Sequence, residues 1–352
     1  MVGPSTNSCE LFASIATAAP PPVHGVQTHF YVKFPAMTSF PLHYSHRNLW
    51  LAYALGVPLL ATKVVEAYPP PRDRWRVEPM WTRARTAGLS TAVVGWLGSW
   101  PVEPCDGDVF PYMGARSSWE VFYRYRQGRF APGGWFCRDS VRGLVREPSD
   151  RDAEDLASLG IDAGVGVERA DALSGELSLL NQNQAGYVRY EHLGDASHAV
   201  IAELAIRERR PDVAWVYFGG LDVVEHVFWP CWRPDGYPDG PGRPVPTRDR
   251  QPVLRYFQWL DQVVARLLAA YEVEPMVVIV GDHDMVPTPG HRLFPAWHGG
   301  SGALIVSHPD RRVATGDVTV RPEDVGDMVA SQCGLGTSPT WQTSPLREAL
   351  GR

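Results

Sequence analysis

Short apolar runs alternate with longer amphipathic stretches along this chain. The runs Ala214 to Phe218 and Pro275 to Val280 are rich in valine, isoleucine and aromatic residues, and each ends in a polar turn of acidic and histidine residues. Such runs predict buried strands. A third apolar run, Ala303 to Ser307, predicts a further strand. Apolar residues at helical spacing predict helices at Asp195–Arg209, Tyr256–Tyr271 and Pro322–Cys333.

The first hundred residues repeat the same alternation. Apolar residues recur at helical spacing from Leu11 to Ala16, after a start rich in serine and asparagine that suits a helix N-terminus. A second amphipathic helix is predicted from Trp75 to Gly88, followed by a strand from Leu89 to Trp96. Together these elements predict an α/β fold, with a mostly parallel central sheet and helices on both faces.

Length and charge narrow the class of protein. The 352 residues suffice for one large α/β domain with insertions, which we place at about 108–190 and 229–250. The net charge of −6 argues against binding to a nucleic-acid duplex, which needs a basic surface. Five scattered cysteines, and no apolar run of membrane-spanning length, favour a reducing cytoplasmic location without membrane contact. The sequence gives no sign of oligomeric state.

Acidic and histidine residues follow the two strands in the second half of the chain. Asp222 and His226 follow the first strand, and Asp282 and His283 follow the second. The carboxyl ends of parallel strands meet at one edge of a sheet, so these four side chains are expected to gather there. His298 precedes a further strand. Carboxylates with imidazoles form a ligand set for zinc, and also for manganese or iron.

The order of these motifs resembles the type I phosphodiesterase/nucleotide pyrophosphatase branch of the alkaline phosphatase superfamily. That family has a strand ending in D-x-x-x-H, a strand ending in S/G-D-H-G-M, and a later H-G-x-x-G. This chain has Asp222–His226, Gly281–Met285 and His298–Gly302. The resemblance implies a three-layer α/β sandwich and two clustered divalent metals, zinc or manganese. One metal would be bound by Asp222, His226 and His298, and the other by Asp282, His283 and a hydroxyl nucleophile.

The resemblance also places the nucleophile near the start of the chain. The family carries a serine or threonine before a helix of the type W-T-S-I-A-T-G, and that spacing indicates Ser8. Thr6 and Ser39 are the alternatives, and a plain helix-capping role is the competing interpretation of Ser8. His291 competes with His298 as the last metal ligand.

Two departures from the family pattern bear on the metal site. The family has a strand ending in a metal-binding aspartate before the nucleophile, whereas Met1 lies only seven residues before Ser8. The chain is therefore expected to lack the first strand of its family. Asp284 replaces a family glycine. The Asp284 carboxylate either supplements the metal ligands or points to solvent, and we expect it to point to solvent.

A stretch rich in proline, glycine and tryptophan, from Phe228 to Pro246, is predicted to be a long loop beside the metals. Trp229, Trp232 and Tyr237 in this loop are candidate substrate-stacking residues.

The motifs and the family resemblance together predict a metal-dependent hydrolase of small phosphoesters, of the diester or nucleotide type. A phosphomonoesterase or phosphomutase on the same scaffold, or an inactive pseudo-hydrolase, are the alternatives. A sulfatase is disfavoured, because the segment after Ser8 lacks C/S-x-P-x-R.

Overall fold

The computed structural model describes eleven parts of the chain. Its helices and strands are described from Ser8 to Leu350, with gaps between the parts. The described residues are 8–28, 31–33, 40–41, 66–68, 74–99, 108–110, 184–238, 251–289, 294–311, 313 and 318–350.

Helices and strands are interspersed along these residues. The helices are α1 Ser8–Thr17, α2 Pro21–His24, α3 Met80–Thr86, α4 Gln184–Arg209, α5 Gly220–Trp232, α6 Pro252–Ala269, α7 Pro322–Gln332 and α8 Pro345–Ala349, with 3-10 turns at Pro234–Gly236 and Pro339–Thr343. The strands are β1 Tyr31–Lys33, β2 Phe40–Pro41, β3 Glu66–Tyr68, β4 Thr91–Val94, β5 Asp108–Phe110, β6 Val213–Val216, β7 Val277–Gly281, β8 Met285–Pro287, β9 Ala296–His298 and β10 Ala303–Ser307.

The strands form four small sheets. A parallel sheet has the order β5-β4-β6, and β7 pairs with β10 in antiparallel orientation. The hairpin β8-β9 and the antiparallel trio β2-β1-β3 complete the set. The predicted mixture of helices and strands is confirmed. Within the described segments, however, parallel pairing is confined to β4 and its two neighbours, so they do not display a mostly parallel central sheet.

One apolar core joins the parallel sheet to the β7-β10 pair. Trp215 of β6 packs edge-on against Trp81 and Trp96, with ring centroids 6.0 and 5.0 Å away. Val278 and Val280 on the inner face of β7 pack against the same core. A second core lies between α4, α5 and α6, with Phe228 and Tyr256 fully buried in it. Strands β6 and β7 therefore pack against the same apolar core.

Helix α1 is almost entirely buried and packs along α7.

A hydrogen-bonded pair, Ser14 and His24, connects α1 to α2. The Val26 N–H donates to His24 Nδ1 over 3.1 Å, so the other ring nitrogen carries the proton and donates to Ser14 Oγ at 3.0 Å. Burial lowers the pKa of His24 to about 4, which keeps the ring neutral. Ser14 Oγ in turn donates to the Glu10 carbonyl. This Ser–His pair is therefore structural. To activate Ser14 as a nucleophile, His24 would have to accept the hydroxyl proton, whereas here the ring donates its own proton to Ser14 Oγ.

Several predicted element boundaries differ from the structure; for example, α4 begins at Gln184 rather than at Asp195. Two of these differences involve a proline. The helix predicted from Trp75 begins only at Met80, because Pro79 disfavours helical geometry in the residue before it. The predicted loop from Phe228 is wrong in its first part. Helix α5 continues to Trp232 in spite of Pro230, since the buried Val227 and Phe228 keep it packed against its neighbours.

The described helices include none that is both long and apolar enough to cross a membrane.

The close contact of α7 with α1 depends on Gly326. A Cβ added there would lie 2.4 Å from the Ile15 carbonyl oxygen and 2.9 Å from Ala18 Cα. We expect Gly326→Ala to lower the free energy of unfolding by about 1–3 kcal/mol, because the backbones must move apart. Urea unfolding measures this. Gly336→Ala, whose added Cβ has no neighbour closer than 4.0 Å, is the matched control. Equal stability of the two variants would contradict the close contact.

Candidate metal centre

Two of the predicted metal ligands, Asp222 and His226, lie on helix α5. Strand β6 ends at Val216, and α5 begins at Gly220 after a short turn. Asp222 lies in the first turn of the helix and His226 in the second, not in a turn after the strand as the sequence indicated. Side chains four residues apart lie on one face of a helix. The D-x-x-x-H spacing therefore aims both groups in the same direction.

Asp222 Oδ1 lies at the centre of a group of imidazoles. It is 3.4 Å from His226 Nε2, 3.5 Å from His283 Nε2 and 3.2 Å from His298 Nε2. These three histidines come from helix α5, the segment after β7, and strand β9. Three separate elements of the fold therefore converge on a single carboxylate oxygen.

His226 is held in the tautomer that suits a metal ligand. Its Nδ1–H donates to the Ala296 carbonyl over 2.7 Å, which leaves the Nε2 lone pair directed at the cluster. His226 Nε2 lies 2.9 Å from His298 Nε2. Burial, the largest influence, lowers the pKa of His226 to about 4, so that the ring is neutral. A neutral imidazole is the form that binds a metal.

The β8-β9 hairpin brings the second motif to the first. Met285 of β8 pairs with His298 of β9, so the residues just before β8 lie beside His298. The His283 ring stacks on the His298 ring, with centroids 3.8 Å apart and planes 18° apart. His283 Nε2 is also 3.5 Å from Asp282 Oδ2. All five predicted metal ligands thus belong to one connected set.

Asp284 stabilises the glycine-rich loop after His298. Its backbone carbonyl accepts the Gly299 N–H over 2.7 Å, and its Oδ1 accepts the Ser301 N–H over 3.1 Å. A Cβ on Gly299 would lie 2.0 Å from Asp284 Oδ1, so a larger residue there would displace the Asp284 carboxylate from this contact. The Asp284 side chain is exposed to solvent, as expected from the sequence. One of its carboxylate oxygens nevertheless accepts a hydrogen bond from the backbone of the loop.

The donor atoms of the cluster fit a divalent cation. Asp222, His283 and His298 each offer a ligand atom, and these atoms lie within 4.8 Å of one another. Asp222 Oδ1, Asp282 Oδ2 and His283 Nε2 are buried, and none of them has a hydrogen-bond partner among the residues described. Buried polar atoms without partners are costly, and bound divalent cations would satisfy them. Carboxylate oxygen with imidazole nitrogen is the ligand chemistry of zinc.

Electrostatics keep the carboxylate charged. Burial alone would raise the pKa of Asp222, but the adjacent His226, His298 and His283 outweigh burial and hold that pKa far below its usual range. An ionised Asp222 beside a neutral His226 is the protonation state that metal binding requires.

Three acidic residues near the cluster are not among those that the sequence indicated. Glu225 lies three residues after Asp222 on α5. Burial, followed by the charges of Asp222 and Asp282, raises its pKa to about 8. Glu191 and Asp195, on α4, are buried behind α5. The i, i+3 spacing could have indicated Glu225, but no sequence signal marks the two residues on α4.

The predicted nucleophile lies at the N-terminus of α1. Ser8 is 8% exposed there. One turn later, Phe12 packs edge-on against Tyr217, with centroids 5.1 Å apart. The pKa of Tyr217 is raised well above its usual range by burial and then by the charges of Asp282 and Asp222. Helix α1 therefore contacts a residue that borders the ligand cluster. The alternatives Thr6, Ser39 and His291 lie outside the described residues.

The three predicted substrate-stacking residues lie in different environments. Trp229 is half-buried, and Trp232 is 40% exposed at the C-terminus of α5. Tyr237 is 5% exposed, and its hydroxyl donates to the Pro295 carbonyl. This hydrogen bond ties the segment after α5 to the segment that precedes β9.

Comparison with known families agrees with the geometry. The family model for type I phosphodiesterase/nucleotide pyrophosphatase matches residues 4–315. The chain belongs to this family. The match includes every predicted metal ligand, as well as Ser8. A search of curated proteins found no match. Members of the family are metal-dependent hydrolases of small phosphoesters, and the Asp–His cluster is a plausible metal site in this chain.

Removal of the central carboxylate should weaken metal binding. We expect Asp222→Asn to reduce zinc affinity by at least about a hundredfold, because a neutral amide replaces the one charged oxygen that faces three histidines. Titration calorimetry with zinc chloride on the full chain measures the affinity. Asp261→Asn, on an exposed face of α6, is the matched control. Zinc affinity unchanged by Asp222→Asn would contradict the assignment of the centre.

Proposed function

We propose that this protein hydrolyses phosphodiester or nucleotide-type substrates with Ser8 as the nucleophile and two clustered divalent metals. The observation that supports this most is the convergence of the Asp222, His226, His283 and His298 side chains within the matched family region. Zinc is the proposed metal, because the ligands are carboxylates and imidazoles; manganese is the alternative.

The proposed ligand sets follow the family. Asp222, His226 and His298 would hold one metal, and Asp282, His283 and Ser8 the other. When bound, the metals supply Lewis-acid stabilisation of the negative charge that develops on the phosphoryl oxygens. The chain itself holds the imidazoles in the correct orientation. The hydrogen bond from His226 Nδ1–H to Ala296 and the stacking of His283 on His298 both limit ring rotation.

Ser8 suits a nucleophile through its place on α1. The N-terminus of a helix carries unsatisfied N–H groups and a partial positive charge, both of which stabilise an anion. An ionised Ser8 Oγ, and the phosphoryl group that it receives, are therefore favoured at this position. In the proposed reaction, Ser8 Oγ forms a bond to phosphorus as the bond to the leaving alcohol breaks. Water then cleaves the phosphoseryl bond and restores the hydroxyl.

The exposed end of α5 is the proposed recognition surface for the leaving group. Trp232 offers an exposed ring, and Trp229 lies one turn closer to His226. An aryl or nucleobase group could stack on either ring. The burial of Tyr237 and the use of its hydroxyl count against direct contact with substrate. For Tyr237 we propose instead a supporting role, through the Pro295 segment that precedes β9.

We further propose that the small sheets belong to one hydrolase domain with the three-layer arrangement of the alkaline phosphatase superfamily. The shared core of β4, β6, β7 and β10 supports this. In this arrangement, the insertions into the common fold fall within about 108–190 and 229–250, after β5 and after α5.

The proposed reaction predicts a strict need for the Ser8 hydroxyl. Ser8→Ala should lower kcat for bis(p-nitrophenyl) phosphate by at least about a thousandfold, because it removes the oxygen that attacks phosphorus. Ser8→Thr, which keeps a hydroxyl, should retain more activity than Ser8→Ala. Ser331→Ala, on an exposed site of α7, is the control. Steady-state kinetics with zinc-loaded enzyme measures all three variants.

Two other outcomes of this assay are informative. Wild-type activity in Ser8→Ala would rule out Ser8 as the nucleophile. A wild-type chain that binds zinc but cleaves neither this diester nor p-nitrophenyl phosphate would favour the non-catalytic alternative.

A further inference from the structure

A buried aspartate of helix α4 lies directly behind the start of α5. Asp195 is 0% exposed, and none of the described groups that donate to its carboxylate is a basic side chain. A buried carboxylate is costly unless hydrogen bonds satisfy it. Its contacts therefore identify what holds it in this position.

Three donors surround the Asp195 carboxylate. The Gly219 N–H donates to Oδ1 over 2.8 Å, and the Gly220 N–H donates to Oδ2 over 2.9 Å. The Tyr256 hydroxyl, from α6, donates to Oδ2 over 2.9 Å. The two amides belong to the N-terminus of α5, where helical N–H groups have no partner within the helix. Asp195 thus caps α5 from another helix, and Tyr256 fixes the orientation of the cap.

The backbone at this position has no room for another side chain. A Cβ on Gly220 would lie 2.0 Å from the Tyr256 oxygen and 2.7 Å from Asp195 Oδ2. Gly220 therefore allows the carboxylate to reach the backbone closely. The position of the first turn of α5 is set by this contact.

The capped turn carries Asp222, only two residues after Gly220, and His226 follows one turn later. We propose that Asp195, oriented by Tyr256, is a positioning residue that sets the place of Asp222 and His226 and thereby the metal affinity of the centre. This inference rests on the proposed metal-dependent function. It adds a role for two residues that contact neither the cluster nor the proposed nucleophile in this structure.

Glu191 offers a test of whether geometry or charge is responsible. It lies one turn before Asp195 on α4 and is 2% exposed. Its Oε2 has no hydrogen-bond partner among the described residues. Burial, followed by the charges of Asp195 and Asp222, raises its pKa well above the usual range, which keeps it protonated. Glu191→Gln therefore changes a buried acid of the same helix without removing a cap.

The experiment is zinc titration calorimetry on the full chain after removal of metal by chelation. Asp195→Asn keeps one acceptor oxygen but places an amide N–H₂ against a donor, so at least one of the three hydrogen bonds is lost. We expect its zinc affinity to fall about 10- to 100-fold, the range typical of groups that orient metal ligands. Tyr256→Phe should lower the affinity less. Glu191→Gln should bind zinc like the wild type.

The double variant Asp195→Asn/Tyr256→Phe separates positioning from general destabilisation. If Tyr256 acts through Asp195, the double variant should bind zinc as weakly as Asp195→Asn alone. Circular dichroism checks that each variant is folded. Should Asp195→Asn fail to fold, Tyr256→Phe carries the test, and weaker zinc binding by that variant supports the proposal.

Wild-type zinc affinity in folded Asp195→Asn, or in Tyr256→Phe where that variant carries the test, would overturn the proposal. An equal loss of affinity in Glu191→Gln would overturn it too, because the effect would then arise from buried acids in general. Failure of the proposed function is a distinct result. A wild-type chain that binds no zinc refutes the metal centre, whereas normal zinc binding by Asp195→Asn refutes only the role of the cap.

Discussion

The Asp222 carboxylate, whose Oδ1 atom is shielded from water, is the group on which the rest of the site depends. This oxygen faces three imidazole nitrogens at 3.2 to 3.5 Å. A charged oxygen removed from water in this way requires positive charge nearby. A bound cation supplies that charge. The cost of shielding this oxygen from water and the affinity for metal are therefore two aspects of the same constraint.

The scaffold satisfies this constraint by bringing separate elements to one place. Helix α5 carries Asp222 and His226, and the segment after β7 carries His283. The β8-β9 pairing then places His298 beside them. Helix α5 is anchored in the core between α4, α5 and α6, and β7 is anchored in the core around Trp215. The positions of these two elements thus follow from packing away from the cluster, whereas Phe294 and Trp297 pack against His226 itself.

The residues that converge in the cluster could be predicted from the sequence, because strand ends and i, i+4 spacing are local features. The same local patterns predicted β10 at its observed bounds and α7 to within one residue. The extension of α5 through Pro230 could not be predicted, since it depends on burial against α4 and α6. The Asp195 cap also lay beyond prediction. It joins residues 24 and 25 positions apart, and no periodicity marks that contact.

The most direct test is an anomalous difference map, measured at the zinc absorption edge, from crystals of the zinc-loaded full chain. We expect a strong peak within coordination distance of Asp222 Oδ1 and the Nε2 atom of His298, and a second peak close to Asp282 and His283. A single peak near Asp222 would reduce the two-metal proposal to one metal. The absence of any peak at these side chains, with zinc bound elsewhere or not at all, would refute the metal centre.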